Sequence, residues 1–226
     1  MSLAPVAVIG MHRSGTSCLA GCLENLGLTL GEVITEAPHN RRGNRENPRL
    51  WPVHDAVLAR VGASWDRPPL EPIAWTRDEI AGLRSVLADY EGLPRPWGFK
   101  DPRATVLLDG WFEVFPDLRL AASIRHPLAV AGSLRARDGF DPAAAFAAWR
   151  GYNLAVLRWR GAIAFPIIDY DAPDYEVRVR RAAAALGLDA QAPMPFRSDE
   201  LNHQGEQPEA PQEVRPMWRA LQALAA

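Results

Sequence analysis

Val6-Ala7-Val8-Ile9-Gly10-Met11-His12-Arg13-Ser14-Gly15-Thr16-Ser17 is the stretch whose reading decides the fold. Its first four residues are apolar and mostly β-branched, as a buried strand requires, and Gly10 then opens a polar turn. Beyond it Leu19, Cys22, Leu23 and Leu26 recur at the i, i+3, i+4, i+7 spacing of one helix face, and Gly27 closes that helix. Strand, loop and helix with Gly10 and Gly15 five apart reproduce the frame of a phosphate-binding loop, G-x-x-x-x-G. Backbone N–H groups at the helix start form a cup for an anion, and the helix dipole reinforces it. The usual lysine is replaced by Thr16, so the positive side chain comes from inside the loop, at Arg13. His12, Ser14, Gly15, Thr16 and Ser17 complete the candidate cup. The plain alternative is an ordinary glycine-bearing strand-to-helix turn.

Outward from this unit, strands and helices alternate. Helices are predicted over 50–61 and 77–91, then a strand over 97–100 and a helix from Pro102 to about Phe112. A strand over 118–124 ends at Arg125-His126, and Pro127 starts a helix through Leu134. A helix over 142–160, a strand over 163–168 ending at Asp169, a helix over 174–186 and a short helix over 215–225 follow. This order predicts an α/β fold: a P-loop-like three-layer α/β/α domain with a central, mostly parallel sheet. In such sheets ligands bind at the carboxyl ends of the strands. Three strand ends carry the most distinctive polar clusters, at Gly10–Ser17, Lys100–Arg103 and Arg125–Pro127.

Length and composition agree with one folded unit over 1–226, with excursions at 31–75 and 190–226 left to shape the rest of the site. The 226 residues are 48% hydrophobic and 23% charged, which argues against wholesale disorder or a fibrous repeat. A net charge of −2 gives no general attraction for nucleic acid, so a bound anion must be held locally. No stretch reaches the ~20 apolar residues that span a bilayer, and Met1 to Gly10 lacks the basic start of a signal peptide. A soluble, cytoplasmic chain is expected. Cys18 and Cys22 share a helix face and read as small buried thiols, since their spacing suits no zinc cluster. Of the 25 basic residues only Lys100 is a lysine. Either a coding bias left it by chance, or it stands where a compact ammonium is required.

In the second polar cluster, Arg125 at a strand end is followed eight residues on by Ser133, two helical turns along, so both can face one small anion. A charge-assisted arginine–phosphate bond contributes about 1.5–3 kcal/mol, enough to separate a phosphorylated ligand from its dephospho form.

Together these residues resemble the sulfotransferase superfamily, which uses 3′-phosphoadenosine 5′-phosphosulfate (PAPS). Met11-His12-Arg13-Ser14-Gly15-Thr16-Ser17 is similar to the P-R-S-G-T-T loop of tyrosylprotein sulfotransferases, which holds the 5′-phosphosulfate. Arg125 and Ser133 match the arginine and serine that bind the 3′-phosphate. Trp97-Gly98-Phe99-Lys100-Asp101-Pro102-Arg103 resembles a Lys-Asp-Pro context in which the lysine stabilises the leaving phosphate, and bacterial relatives share this wider wording. The likeness runs from about Val6 to Tyr152. It departs from the family in lacking the aromatic residue after the loop and the C-terminal R-K-G-x-x-G motif. Gly43-Asn44-Arg45-Glu46 keeps only the glycine and glutamate of G-Y-W-E.

The resemblance implies a PAPS-dependent transfer of a sulfuryl group to a hydroxyl or amine of a small-molecule, glycan or peptide acceptor, with no metal. Arg13 and Lys100 take the catalytic role of charge stabilisation on the leaving group. Lys100 has the alternative of simply pairing with Asp101. As base, Glu46 comes first, then Glu36 and Glu32, with His39 and His54 as further candidates; His12 and His126 shape the phosphate loops. Rival readings are a P-loop small-molecule kinase and a non-catalytic nucleotide-binding module. Acceptor identity and oligomeric state stay open.

Overall fold

The computed structural model describes residues 4–38, 42–196 and 208–225. His39, one of the candidate bases, and residues 197–207 and 226 of the 190–226 excursion lie outside the described residues.

Four strands, β1 (Val6–Ile9), β2 (Gly98–Lys100), β3 (Arg119–Ile124) and β4 (Ile167–Asp169), form one sheet in the order β2-β1-β3-β4. All pairings are parallel, with Val8 opposite Lys100 and Ala121, and Ile124 opposite Asp169. The order reverses beside β1, so a crevice opens between the carboxyl ends of β1 and β3.

Alternation along the strands sorts the core. Ala7, Ile9, Leu120, Ala122 and Ile124 face a large cluster with the helices α2 (Leu50–Arg60), α3 (Arg77–Leu87), α4 (Leu108–Val114), α5 (Pro127–Asp138), α6 (Pro142–Ala162) and α8 (Arg215–Leu224). Val6, Val8 and Ala121 face a smaller cluster with α1 (Thr16–Asn25) and α7 (Tyr175–Ala185). With both faces covered, the strands need continuous apolar runs, and β1 is fully buried along its length. Cys22 is buried and Cys18 half-buried, and neither is in a disulfide.

Several expected elements differ in extent; the helix expected over 77–91, for one, ends at Leu87 and passes into a 3-10 turn, Ala88–Tyr90. The helix expected from Pro102 splits into a 3-10 turn, Pro102–Val106, and α4. The Asp101 carboxylate accepts from the Arg103 N–H at 2.9 Å and tightens the start, and Leu107 then leaves helical geometry at φ −123°. The strand expected over 163–168 begins only at Ile167. Pro166 has no N–H to give the ladder and contributes just its carbonyl, to Ala122 at 2.9 Å. In the other direction, α5 runs past Leu134 to Asp138, where Gly139 at φ 72° terminates it.

Candidate functional site

The cup at the end of β1 is built by its neighbours as much as by its own residues. Gly10 turns at φ 131°, where a Cβ would come within 2.2 Å of the Ser123 carbonyl oxygen on β3. Its N–H donates to the Thr105 hydroxyl at 2.8 Å, and the Ser123 hydroxyl donates to the Ser14 carbonyl at 2.6 Å. Arg13 adopts φ 66°, a left-handed conformation uncommon outside glycine. Gly15 precedes Thr16 at φ 84° and lies against the Tyr170 ring. Among the described residues, the Ser14 Oγ and His12 Nε2 atoms are buried without a hydrogen-bond partner. A cup whose own hydroxyl is left unsatisfied fits an oxyanion that would accept from it.

The second motif meets the first here. Arg13 Nε donates to Ser133 Oγ at 2.7 Å, across 120 positions of sequence. Arg125 leaves the end of β3 with its guanidinium over the Tyr170 ring, 4.7 Å from the centroid. The same side chain donates from Nε to Asp171 at 3.1 and 3.3 Å. Burial pushes the Arg13 guanidinium pKa down, and the nearby Arg137 and Arg125 charges push it further. No carboxylate forms an ion pair with Arg13 among the described residues. Arg137 pairs with Asp138 at 2.7 Å and covers the Trp65 ring.

A different cluster lies under the other flank of the cup. Lys100 Nζ donates to Glu46 Oε1 at 2.5 Å, and Trp51 Nε1 donates to Glu46 Oε2 at 2.7 Å. Lys100 and Asp101 do not pair. Asp101 follows β2 in extended backbone, so its side chain points to the opposite face from Lys100. There it meets Arg103 at 3.0 Å and His54 Nδ1 at 2.9 Å. Trp111 Nε1 donates to His54 Nε2 at 3.0 Å, so Nδ1 carries the imidazole proton and donates it to Asp101. Burial raises the Asp101 pKa, but His54 and Arg103 outweigh it and hold the carboxyl well below its usual range.

Residues 31–38 and 42–49 close over this cluster. Gly43, at φ 73°, passes so close to the Ile34 carbonyl that a Cβ would lie 2.3 Å from it. The hairpin-like bonds Ile34 N–H to Glu46 O and Arg45 N–H to Ile34 O follow, and Ser17 Oγ donates to the Asn44 carbonyl at 3.1 Å. Glu46 is thereby delivered to Lys100, whereas Glu36 and Glu32 are exposed and have no side-chain bond to the cluster. His54 is fully buried, enclosed between Asp101 and Trp111. His12 packs against Trp65 and Tyr152, with ring centroids 4.9 and 5.8 Å away; burial, then Lys100 and Arg103, drives its pKa well down and keeps it neutral. His126 caps α5 by accepting from the Leu128 N–H at 3.3 Å and meets Trp218 of α8 edge-on.

Sequence reasoning did not single out Asp171, Tyr170, Arg137 or Thr105. Only for Asp171 was a signal available, as a carboxylate two residues beyond the end of a strand that carries Asp169. Among the described residues no cluster of three metal-ligating side chains occurs, and no helix is long and apolar enough to cross a membrane.

No protein-family model and no curated protein matches the chain. Solved structures do. A sulfotransferase from Alicyclobacillus acidocaldarius superposes with a TM-score of 0.56 over 100% of this chain and 96% of its own, at 15% identity. The sulfotransferase domain of the Synechococcus PCC 7002 olefin synthase gives 0.50 over 97% and 89%, at 16% identity. The chain therefore has the α/β fold of solved sulfotransferases.

Proposed function

We propose that the protein is a PAPS-dependent sulfotransferase. The observation that carries this reading is the Arg13–Ser133 bond of 2.7 Å, which joins the β1 cup to the motif at the end of β3 in one basic crevice. The unsatisfied Ser14 hydroxyl, the N–H groups at the start of α1 and Arg13 suit the 5′-phosphosulfate, and Arg125 with Ser133 suits the 3′-phosphate. PAPS supplies the activated sulfuryl group when bound. Arg13 and Lys100 then offer positive charge where the leaving phosphate gains electrons. Glu46 is the base of this scheme. Both of its oxygens are engaged, by Lys100 and Trp51, so taking a proton from the acceptor requires one of those bonds to be exchanged. His12, Trp65 and Phe140, backed by the buried Tyr152, form an aromatic wall next to the cup, suited to a ring-bearing or apolar alcohol or amine. A cytoplasmic location goes with this use of a cellular nucleotide.

The test is transfer of radiolabel from 35S-PAPS to a panel of hydroxyl and amine acceptors, without added metal. Transfer that falls about a hundredfold in Arg13→Ala supports the proposal. Magnesium-dependent phosphoryl transfer from ATP would instead make the chain a kinase, and tight nucleotide binding with no transfer would make it a binding module.

A further inference from the structure

A large concavity lies at the other end of the sheet from the cup. The first residues of β3 and β4, the last turn of α6, one side of α7 and the end of α8 enclose about 690 Å³. That volume is within the range of small-molecule sites. Its walls are mainly apolar, with Leu120, Phe165, Ile167 and Leu186 on the inside and the partly exposed Leu224 at the edge.

The charge around this apolar space is one-sided. Arg119, Arg160, Arg178 and Arg181 line it, and among the described residues Asp117 is the one carboxylate that does. Two of the four are committed elsewhere. Arg119 donates to the carbonyls of Ala4 and Leu186, and Arg178 pairs with Asp174 and donates to the Ala225 carbonyl. Arg160 and Arg181 form no ion pair among the described residues, and Arg160 Nε is buried without a hydrogen-bond partner. A guanidinium beside the carboxyl end of α6 gains from the helix dipole, but that does not satisfy a buried N–H. An uncharged apolar ligand would leave Arg160 in the same state. A polyanion such as a nucleotide would bury its phosphates against an apolar wall.

We propose that this cavity is a second binding site, independent of the crevice at the cup, for an amphiphilic monoanion of the fatty-acid type. The chain of the ligand occupies the Leu120–Phe165–Leu186 wall, and its carboxylate is held by Arg160 and Arg181.

Calorimetric titration of the full chain with decanoate, below its micellar range, tests this. Decanoate is expected to saturate one site per chain, to bind about tenfold more weakly to Arg160→Gln, and to bind equally well with the cup saturated by adenosine 3′,5′-bisphosphate. Decanol, which has the same chain without the charge, should bind more weakly than decanoate. Ala185→Trp, at an exposed position on the cavity wall, should block binding without entering the core. If Arg160→Gln does not fold, this variant carries the test. Absence of saturable binding, equal affinity for decanol, indifference to both substitutions in folded protein, or competition with the bisphosphate would each overturn the proposal.

Discussion

Two charged clusters flank the cup, and they differ in how their charges are neutralised. On the β2 side, Lys100 and Asp101 are 2% and 0% exposed, and each charge is matched inside the protein, by Glu46 and by Arg103, with His54 adding a hydrogen bond to Asp101. On the β4 side, Arg125 and Asp171 keep about a sixth of their side chains exposed. Arg13, close to Arg125 and Arg137, has a hydroxyl where the other flank has a carboxylate. The first cluster is a closed frame that holds a loop in place. The second has positive charge left over, in reach of solvent, as a site for an incoming anion requires.

Breaking the closed frame should have the largest effect. Lys100→Ala leaves the buried Glu46 carboxylate with Arg103, 3.8 Å away, as its remaining cation, and about 3 kcal/mol of stability, the lower end for a broken buried pair, should be lost in urea unfolding at pH 7. Combining Lys100→Met with Glu46→Gln removes both charges and should restore most of that loss.

The open cluster should show the opposite sign. Burial raises the Asp169 carboxyl from 3.8 to about 6, against the opposing hydrogen bond from the Asp171 N–H. The folded state therefore favours the protonated acid. The two states differ little below the unfolded value, stability falls as pH rises from 3.8 towards 6, and the cost is complete above that. Asp169→Asn should match the wild type near pH 3.5 and exceed it by up to about 3 kcal/mol at pH 7. A variant no more stable at pH 7 than at pH 3.5, relative to wild type, would remove this contrast between the clusters.

Ligand binding should sharpen the comparison at smaller magnitudes. Arg125→Ala should weaken adenosine 3′,5′-bisphosphate about tenfold or more and leave adenosine 5′-monophosphate almost unchanged. Asp171→Asn frees the Arg125 guanidinium from its present partner and should tighten the bisphosphate about threefold. Asp174→Asn, whose carboxylate pairs with Arg178 instead, should not.

The sequence made the order of elements and the cup legible, because a four-residue apolar run, a glycine frame and an i, i+3, i+4 stripe are local signals. Gly43 and Glu46 were also readable, as remnants of a short pattern. What stayed hidden depends on which strands lie side by side. The register that sets Ile124 against Asp169 brings Asp171 to Arg125, and nothing local to residues 169–171 says so. Likewise Asp101 follows Lys100 directly in sequence, yet extended backbone sends the two side chains to different partners, Glu46 and His54, which only Arg103 bridges. The late start of β4 was a matter of one missing N–H, at Pro166, within a run that apolarity alone marks as strand.

The crevice as a site with two separate grips is tested most directly by magnesium-free calorimetry of adenosine 3′,5′-bisphosphate against adenosine 5′-monophosphate. The bisphosphate should bind about tenfold or more tightly, the surplus coming from the end of β3. Equal affinities, or binding that appears only with magnesium and a triphosphate, would contradict the account.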